Sequence, residues 1–288
     1  MLFVTKVGNV NLADASSMAK LVSQHGPPDL LIHLAAISSL VECESRPDYA
    51  MAVNCPTETL LSQLPHSCRV IFLSTDQIYN GINAPYFEDD ITEENPVNTY
   101  GKTKLAFERA LLSKCSTQRR TVVCLRSSLI LGPPTPWPCR KQSFVQFALE
   151  ALLAKDKTTD IFTDEYRSVI YVQDVIRTIL WFAFTPTIPD GTTTTTVSTT
   201  NRITGRYNMG GPERVSRWDI IQQLAQALQL DDTNMSHIVP TLHSPLLETV
   251  VQSPPDISMD ITKLCSITGL QMTPLKDIIR LCLDSQDY

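Results

Sequence analysis

The residues in this sequence with the types and spacing to do chemistry are Thr75, Tyr100 and Lys104. Ser74-Thr75-Asp76-Gln77-Ile78-Tyr79 closes an apolar run, and 25 residues after Thr75 comes Tyr100-Gly101-Lys102-Thr103-Lys104. Tyr100 and Lys104 are four apart on a predicted helix and so share a face, where an ammonium favours ionisation of a phenol whose unperturbed pKa is about 10. A phenol tuned in this way is a usable general acid. The Thr75 hydroxyl stands at a strand end, where open parallel sheets bind ligands, and can hydrogen-bond a carbonyl oxygen. Three side chains then converge on one oxygen. Taken alone, Tyr and Lys at this spacing read more simply as a half-buried ring beside a snorkelling lysine. The ordered context favours the site: an Ala35-Ala36 turn after one strand, STDQIY after the next and LRSSLILGP after a third.

Those residues need a scaffold, and the apolar pattern supplies one. Asp29 to Leu34 and Arg69 to Ser74 are continuous apolar runs of strand length, and Thr121 to Leu125 is a third. Between them the spacing turns helical over Pro47 to Leu64 and Asn98 to Cys115. Strands alternating with helices predict an α/β fold with a doubly wound parallel sheet. The Pro-rich stretch from Gly132 to Pro138 ends that rhythm, so a division into residues 1–138 and 139–288 is expected. The second part reads as a smaller lobe with some segments returning to the first. Its expected helices run near Gln142 to Ala154, Val172 to Phe184, Ser216 to Leu228 with Ser216 as cap, Ile261 to Ile267 and Leu275 to Leu283. The threonine-rich Gly191 to Thr200 reads as a surface loop.

Composition narrows the function. The net charge of −6, with no run of Lys or Arg, offers no footprint for nucleic acid or an anionic membrane, so a small molecule or a protein is the expected partner. No stretch reaches the roughly 18 apolar residues of a membrane span, and Met1 to Val10 lacks the pattern of a signal peptide. A soluble, cytoplasmic protein is expected. The eight cysteines include no C-x-x-C pair, and the five histidines form no metal-ligand pattern, so neither disulfides nor a metal are expected.

STDQIYNGINAPYFEDD followed by NPVNTYGKTKLAFERAL resembles the dTDP-4-dehydrorhamnose reductase family of extended short-chain dehydrogenases/reductases. It is similar too to the regulatory beta subunit of methionine adenosyltransferase, which is built on the same fold. The resemblance covers nearly all of the chain, with YNMGGPERVSRWDIIQQLAQAL and SPPDISMDITKL looking like the family's C-terminal lobe. It implies a Rossmann-like domain with a smaller α/β substrate lobe, and NADH or NADPH as cofactor. Thr75, Tyr100 and Lys104 become the catalytic set, Tyr100 protonating the sugar C4 oxygen and Lys104 also holding the cofactor ribose. Ala35, Ala36, Ser74, Arg126 and Ser127 are expected beside the cofactor. Asp76 and Arg167 are candidates for the nucleotide sugar, and read equally well as a turn-capping carboxylate and a surface cation.

Departures from the family pattern leave three readings open. The family opens with a strand, a glycine-rich turn and a helix that receives the cofactor pyrophosphate, whereas Gly8 and Gly26 are the only glycines here before Asp29. VNLADASSM resembles the segment just after that first βαβ unit, with Asn11 where aspartate is common, so the sequence is expected to lack the unit, Leu2 to Val7 being a candidate to take its place. Leu131 also stands where relatives often carry tyrosine. The readings are an NAD(P)H-dependent reductase of a nucleotide-linked 4-keto-6-deoxysugar, a non-catalytic partner of the methionine adenosyltransferase catalytic subunit, and a truncated product without function. A homodimer is compatible with each.

Overall fold

The computed structural model describes residues 11–118, 120–135, 142–185, 202–231, 233–242 and 251–285. In chain order, α1 (Ala15–His25), β1 (Leu30–His33), α2 (Leu40–Ser45), α3 (Pro47–Asn54), α4 (Thr57–Leu60) and β2 (Arg69–Thr75) come first. Then follow α5 (Thr99–Gln118), β3 (Val122–Ser127), β4 (Ile130–Leu131), α6 (Phe144–Leu153), β5 (Thr159–Phe162), β6 (Tyr166–Arg167), β7 (Ile170–Tyr171) and α7 (Val172–Phe184). The last described part holds β8 (Gly205–Met209), β9 (Val215–Ser216), α8 (Arg217–Ala227), β10 (Ile238–Thr241), α9 (Thr262–Thr268) and α10 (Leu275–Asp284).

The apolar runs form one parallel sheet in the order β1-β2-β3-β8. Its register aligns Ile32 with Ile71, Ile71 with Val123, and Val123 with Gly205. Both faces are covered by helices, which is why β3 is buried at every position and the strands read as continuous apolar runs. On one face Met18 of α1, Leu60 of α4, and Phe107 and Leu111 of α5 pack against Val70 and Phe72. On the other, Val175, Ile179 and Phe182 of α7 and Leu264 of α9 pack against Ile71, Leu125 and Tyr207. A separate core joins α6, α8 and α10 through Leu149, Leu152, Ile221, Leu224, Ile278 and Ile279. Thus α7, β8 and α9 belong to the sheet although they lie in the second half of the chain.

Three features differ from the sequence expectation. The single helix expected over Pro47 to Leu64 is two helices and a 3₁₀ turn, Leu61–Gln63, because Pro56 has no N–H to continue the ladder. Helix α1 begins at Ala15 within VNLADASSM and is capped by Asp14, whose side chain accepts from the Ser16 N–H. Tyr207 to Met209, read with the smaller lobe, is the fourth strand of the main sheet. The cap foreseen at Ser216 is present, as a box with Asp219. Among the described residues β1 pairs with β2 only. Leu2 to Val7, the threonine-rich Gly191 to Thr200 and much of the Pro-rich segment lie outside the described residues.

Candidate functional site

Thr75 ends β2, pairs with Ser127 across the sheet, and leads into the 3₁₀ turn Asp76–Ile78. Its hydroxyl accepts from the Gln77 N–H at 3.2 Å and donates to Asp76 Oδ1 at 3.2 Å. The Tyr100 hydroxyl, which arrives from the first turn of α5, lies beside it, close enough for the Thr75 side chain to favour the phenolate. Helix α5 can come this close because residue 101 is glycine: a Cβ there would lie 2.2 Å from the Gln77 carbonyl oxygen. Tyr100 is half-buried, and burial first, then the Asp76 charge, push its phenol well above the ordinary 10, the Thr75 hydrogen bond opposing them. The phenol is therefore a proton carrier that stays protonated near neutrality.

Asp76 and Arg167, candidates of uncertain role in the sequence, meet here. Asp76 is buried, and burial raises its carboxyl to about 6 against the opposing Arg167 charge and hydrogen bonding. Its Oδ2 makes no hydrogen bond. Arg167 is buried too, which corrects its reading as a surface cation. Its guanidinium donates to the Tyr166 carbonyl at 2.7 Å, the Ser253 hydroxyl at 3.1 Å and the Pro255 carbonyl at 3.3 Å. Ser128, which no sequence signal flagged, stands beside the Asp76 carboxylate. Ala35 is exposed and Ala36 half-buried just past the end of β1, so that turn is open to a ligand.

Other expected residues are turned elsewhere. Lys104 Nζ donates to the Leu73 carbonyl at 2.6 Å and sits 4.2 Å over the Phe72 ring. Burial lowers its pKa from 10.5 to about 7. Ser74 and Arg126 pair across the sheet and point together towards α5, since side chains alternate along a strand. The Ser74 hydroxyl donates to Glu108 Oε2 at 2.9 Å. Arg126, fully buried, binds Glu108 and Glu94 and donates to the Tyr79 hydroxyl at 2.8 Å. Both side chains are thereby bound within the interior. Ser127 reaches the sheet's end, its hydroxyl donating to the Ser128 carbonyl.

Sequence reading also passed over Asn54. Its side chain accepts from the Ile37 N–H at 2.8 Å and donates at 3.0 Å to the Ile37 carbonyl and to Thr103 Oγ1. That clamps the chain just after Ala35-Ala36 to α5. A buried amide in the otherwise apolar AMAVN, directly before Cys-Pro, was the available signal.

A family match spans residues 2–287 and is described as RmlD substrate binding domain. The chain belongs to this family. The beta subunit of methionine adenosyltransferase 2 from Mus musculus is 25% identical over 277 residues, covering 96% of this chain and 75% of the mouse protein. The dTDP-4-dehydrorhamnose reductase of Escherichia coli (strain K12) is 34% identical over 92 residues, 31% of this chain and 30% of that protein. A solved dTDP-4-dehydrorhamnose reductase from Bacillus anthracis, in complex with NADP, superposes with a TM-score of 0.74 at 17% identity, covering 96% of this chain and 87% of that one. That likeness establishes the Rossmann-like fold.

The fit to a nicotinamide dinucleotide divides along its length. At the nicotinamide end, the exposed Ala35 and half-buried Ala36 leave the turn after β1 open to a ligand. At the pyrophosphate end, the described residues offer no glycine-rich turn opening a helix. The N-terminus of α1 is already taken by the Asp14 carboxylate, which repels a phosphate.

Proposed function

We propose that this chain is a carbonyl-protonating reductase of the NAD(P)H-dependent type, acting on a nucleotide-linked 4-keto-6-deoxysugar. The observation that carries this reading is the juxtaposition of the Thr75 and Tyr100 hydroxyls at the carboxyl end of the sheet. Ala35, Ala36 and Tyr100 would hold a reduced nicotinamide, which would supply hydride to the carbonyl carbon. The chain's own residues do the rest: Thr75 orients the carbonyl oxygen, and Tyr100 gives it a proton. Asp76 and Arg167 border the same space, where a sugar's hydroxyls and a nucleotide's phosphates need an acceptor and a cation.

A second reading rests on two observations. Relatives of the methionine adenosyltransferase beta type match over nearly the whole chain, and Lys104 is held on Leu73. A subunit that binds the methionine adenosyltransferase catalytic subunit has no need of that ammonium. Calorimetric titration of NADPH and NADH into the folded chain separates the readings. The reductase reading expects micromolar binding that weakens in Tyr100→Phe. A folded chain that takes neither nucleotide and instead binds the methionine adenosyltransferase catalytic subunit would replace it with the second reading.

A further inference from the structure

Asp76 is a residue whose burial the reductase reading does not use. It is 4% exposed, its Oδ2 has no hydrogen bond, and Oδ1 is tied to the Thr75 hydroxyl, which lies beside the Tyr100 phenol. An aspartate kept only for an ion pair would be bonded by its cation. Here Arg167 donates instead to two carbonyls and the Ser253 hydroxyl, and its charge is shared with Glu165 and Asp256 while Arg217 repels it. The groups facing Asp76 are Arg167 from β6, Ser128 from the end of β3, Tyr100 from α5, and Thr75 and the Gln77 N–H from its own turn. Tyr100 is faced besides by Cys43 of α2.

We infer that Asp76 is the proton store of this site, returning to Tyr100, through the Thr75 hydroxyl, the proton that the phenol gives away. The destination of that first proton rests on the reductase reading, whereas the coupling of Asp76, Thr75 and Tyr100 belongs to the chain alone. In balance, the Tyr100 O–H bond breaks as the reduced carbonyl oxygen gains its proton, leaving a phenolate. The Thr75 proton moves to the phenolate while the Asp76 carboxyl proton moves to the Thr75 oxygen. The Asp76 carboxylate is left facing Arg167, and a proton from solvent restores it. Transfer in this direction is downhill, because burial leaves the phenol a far weaker acid than the carboxyl. Asp76 touches no reacting atom and is a positioning residue for Tyr100.

Carbon-13 NMR of the aspartate carboxyls, with Asp76→Asn for assignment, reads the coupling without any cofactor. Asp76 is expected to titrate near 6, and Thr75→Val should move it further up, since a hydrogen bond that favours the anion is lost. Titration in the ordinary aspartate range, or indifference to Thr75→Val, would overturn the inference. In turnover, kcat for reduction should fall roughly 10-fold or more as pH rises through that value. Asp76→Asn should abolish this limb in kcat, beyond any change in KM from its place at the substrate, and Asp76→Glu should restore it. A limb that persists in Asp76→Asn, or an effect on KM alone, would also overturn the inference. A wild-type chain that reduces nothing refutes the reductase reading instead, and the NMR result still decides the coupling.

Discussion

Lys104 shows how much one rotamer decides. Its ammonium is buried between the Leu73 carbonyl and the Phe72 face, next to His33, whose ring stacks on Phe72 at 5.7 Å. Burial, with Lys104 adding repulsion, lowers His33 to about 3, so it is neutral and Lys104 is the cation of this pocket. With the lysine's folded pKa near 7 and its ordinary value 10.5, the unfolded chain holds the extra proton between those values. Stability therefore rises with pH across that window. Urea denaturation at pH 7 and pH 10 should show this rise in wild type and lose most of it in Lys104→Met, the difference being on the order of a few kcal/mol. Equal slopes in the two proteins would mean that the ammonium is solvated. The i, i+4 spacing made Tyr100 and Lys104 neighbours on a helix, but nothing in the sequence says that Leu73 offers a carbonyl to the lysine. Motif reading found the pair, and the side-chain direction lay beyond it.

At the level of elements, legibility followed burial. Strands β1, β2 and β3 were readable because helices cover both their faces, giving runs such as RVIFLS. Strand β8 was not, because Gly-Arg-Tyr-Asn-Met carries polar side chains into a polar interior: Arg206 Nε reaches Glu108 at 2.9 Å, and the Asn208 amide donates to the Tyr86 carbonyl at 2.9 Å. Helix α1 buries only Met18 fully, with Leu21 partly buried against the same core, and this short stripe was passed over in the sequence. The junction of α5 with the 76–78 turn was half visible, since Gly101 stood in the motif without its reason. Gly101→Ala should cost about 1–3 kcal/mol by driving a Cβ onto the Gln77 backbone oxygen, and it should shift Tyr100 away from Thr75. Gly26→Ala, at φ +78° and ψ 165° with open space around it, should cost about 1–3 kcal/mol through backbone strain alone. Thermal melts of the two variants compare steric overlap with backbone conformation, and a Gly101→Ala protein as stable as wild type would contradict the close contact.

Across the molecule, the sheet and its connections are tied by one buried ionic network. Arg126 of β3 joins Glu108 of α5 and Glu94 of the 3₁₀ turn Ile91–Glu93's C-terminal cap, Arg206 of β8 joins Glu108, and Tyr79 links Arg126 to Asn208. Removing one partner of such a network strands the others without water. Arg126→Met should therefore lower stability by roughly 3–5 kcal/mol, and chemical denaturation will show whether Glu94 and Glu108 depend on it. Among the described residues no helix is long and apolar enough to cross a membrane. The network holds β2, β3 and α5 in register, and so fixes the distance between Thr75 and Tyr100 on which the proposed chemistry depends. That chemistry is tested most directly by following NADPH and NADH oxidation with dTDP-4-dehydrorhamnose, for wild type and Tyr100→Phe side by side, with circular dichroism on both. The account predicts turnover by wild type and a loss of roughly 10²–10⁴-fold in an equally folded Tyr100→Phe protein. Equal rates in the two, or no oxidation by a folded wild-type chain, would contradict it.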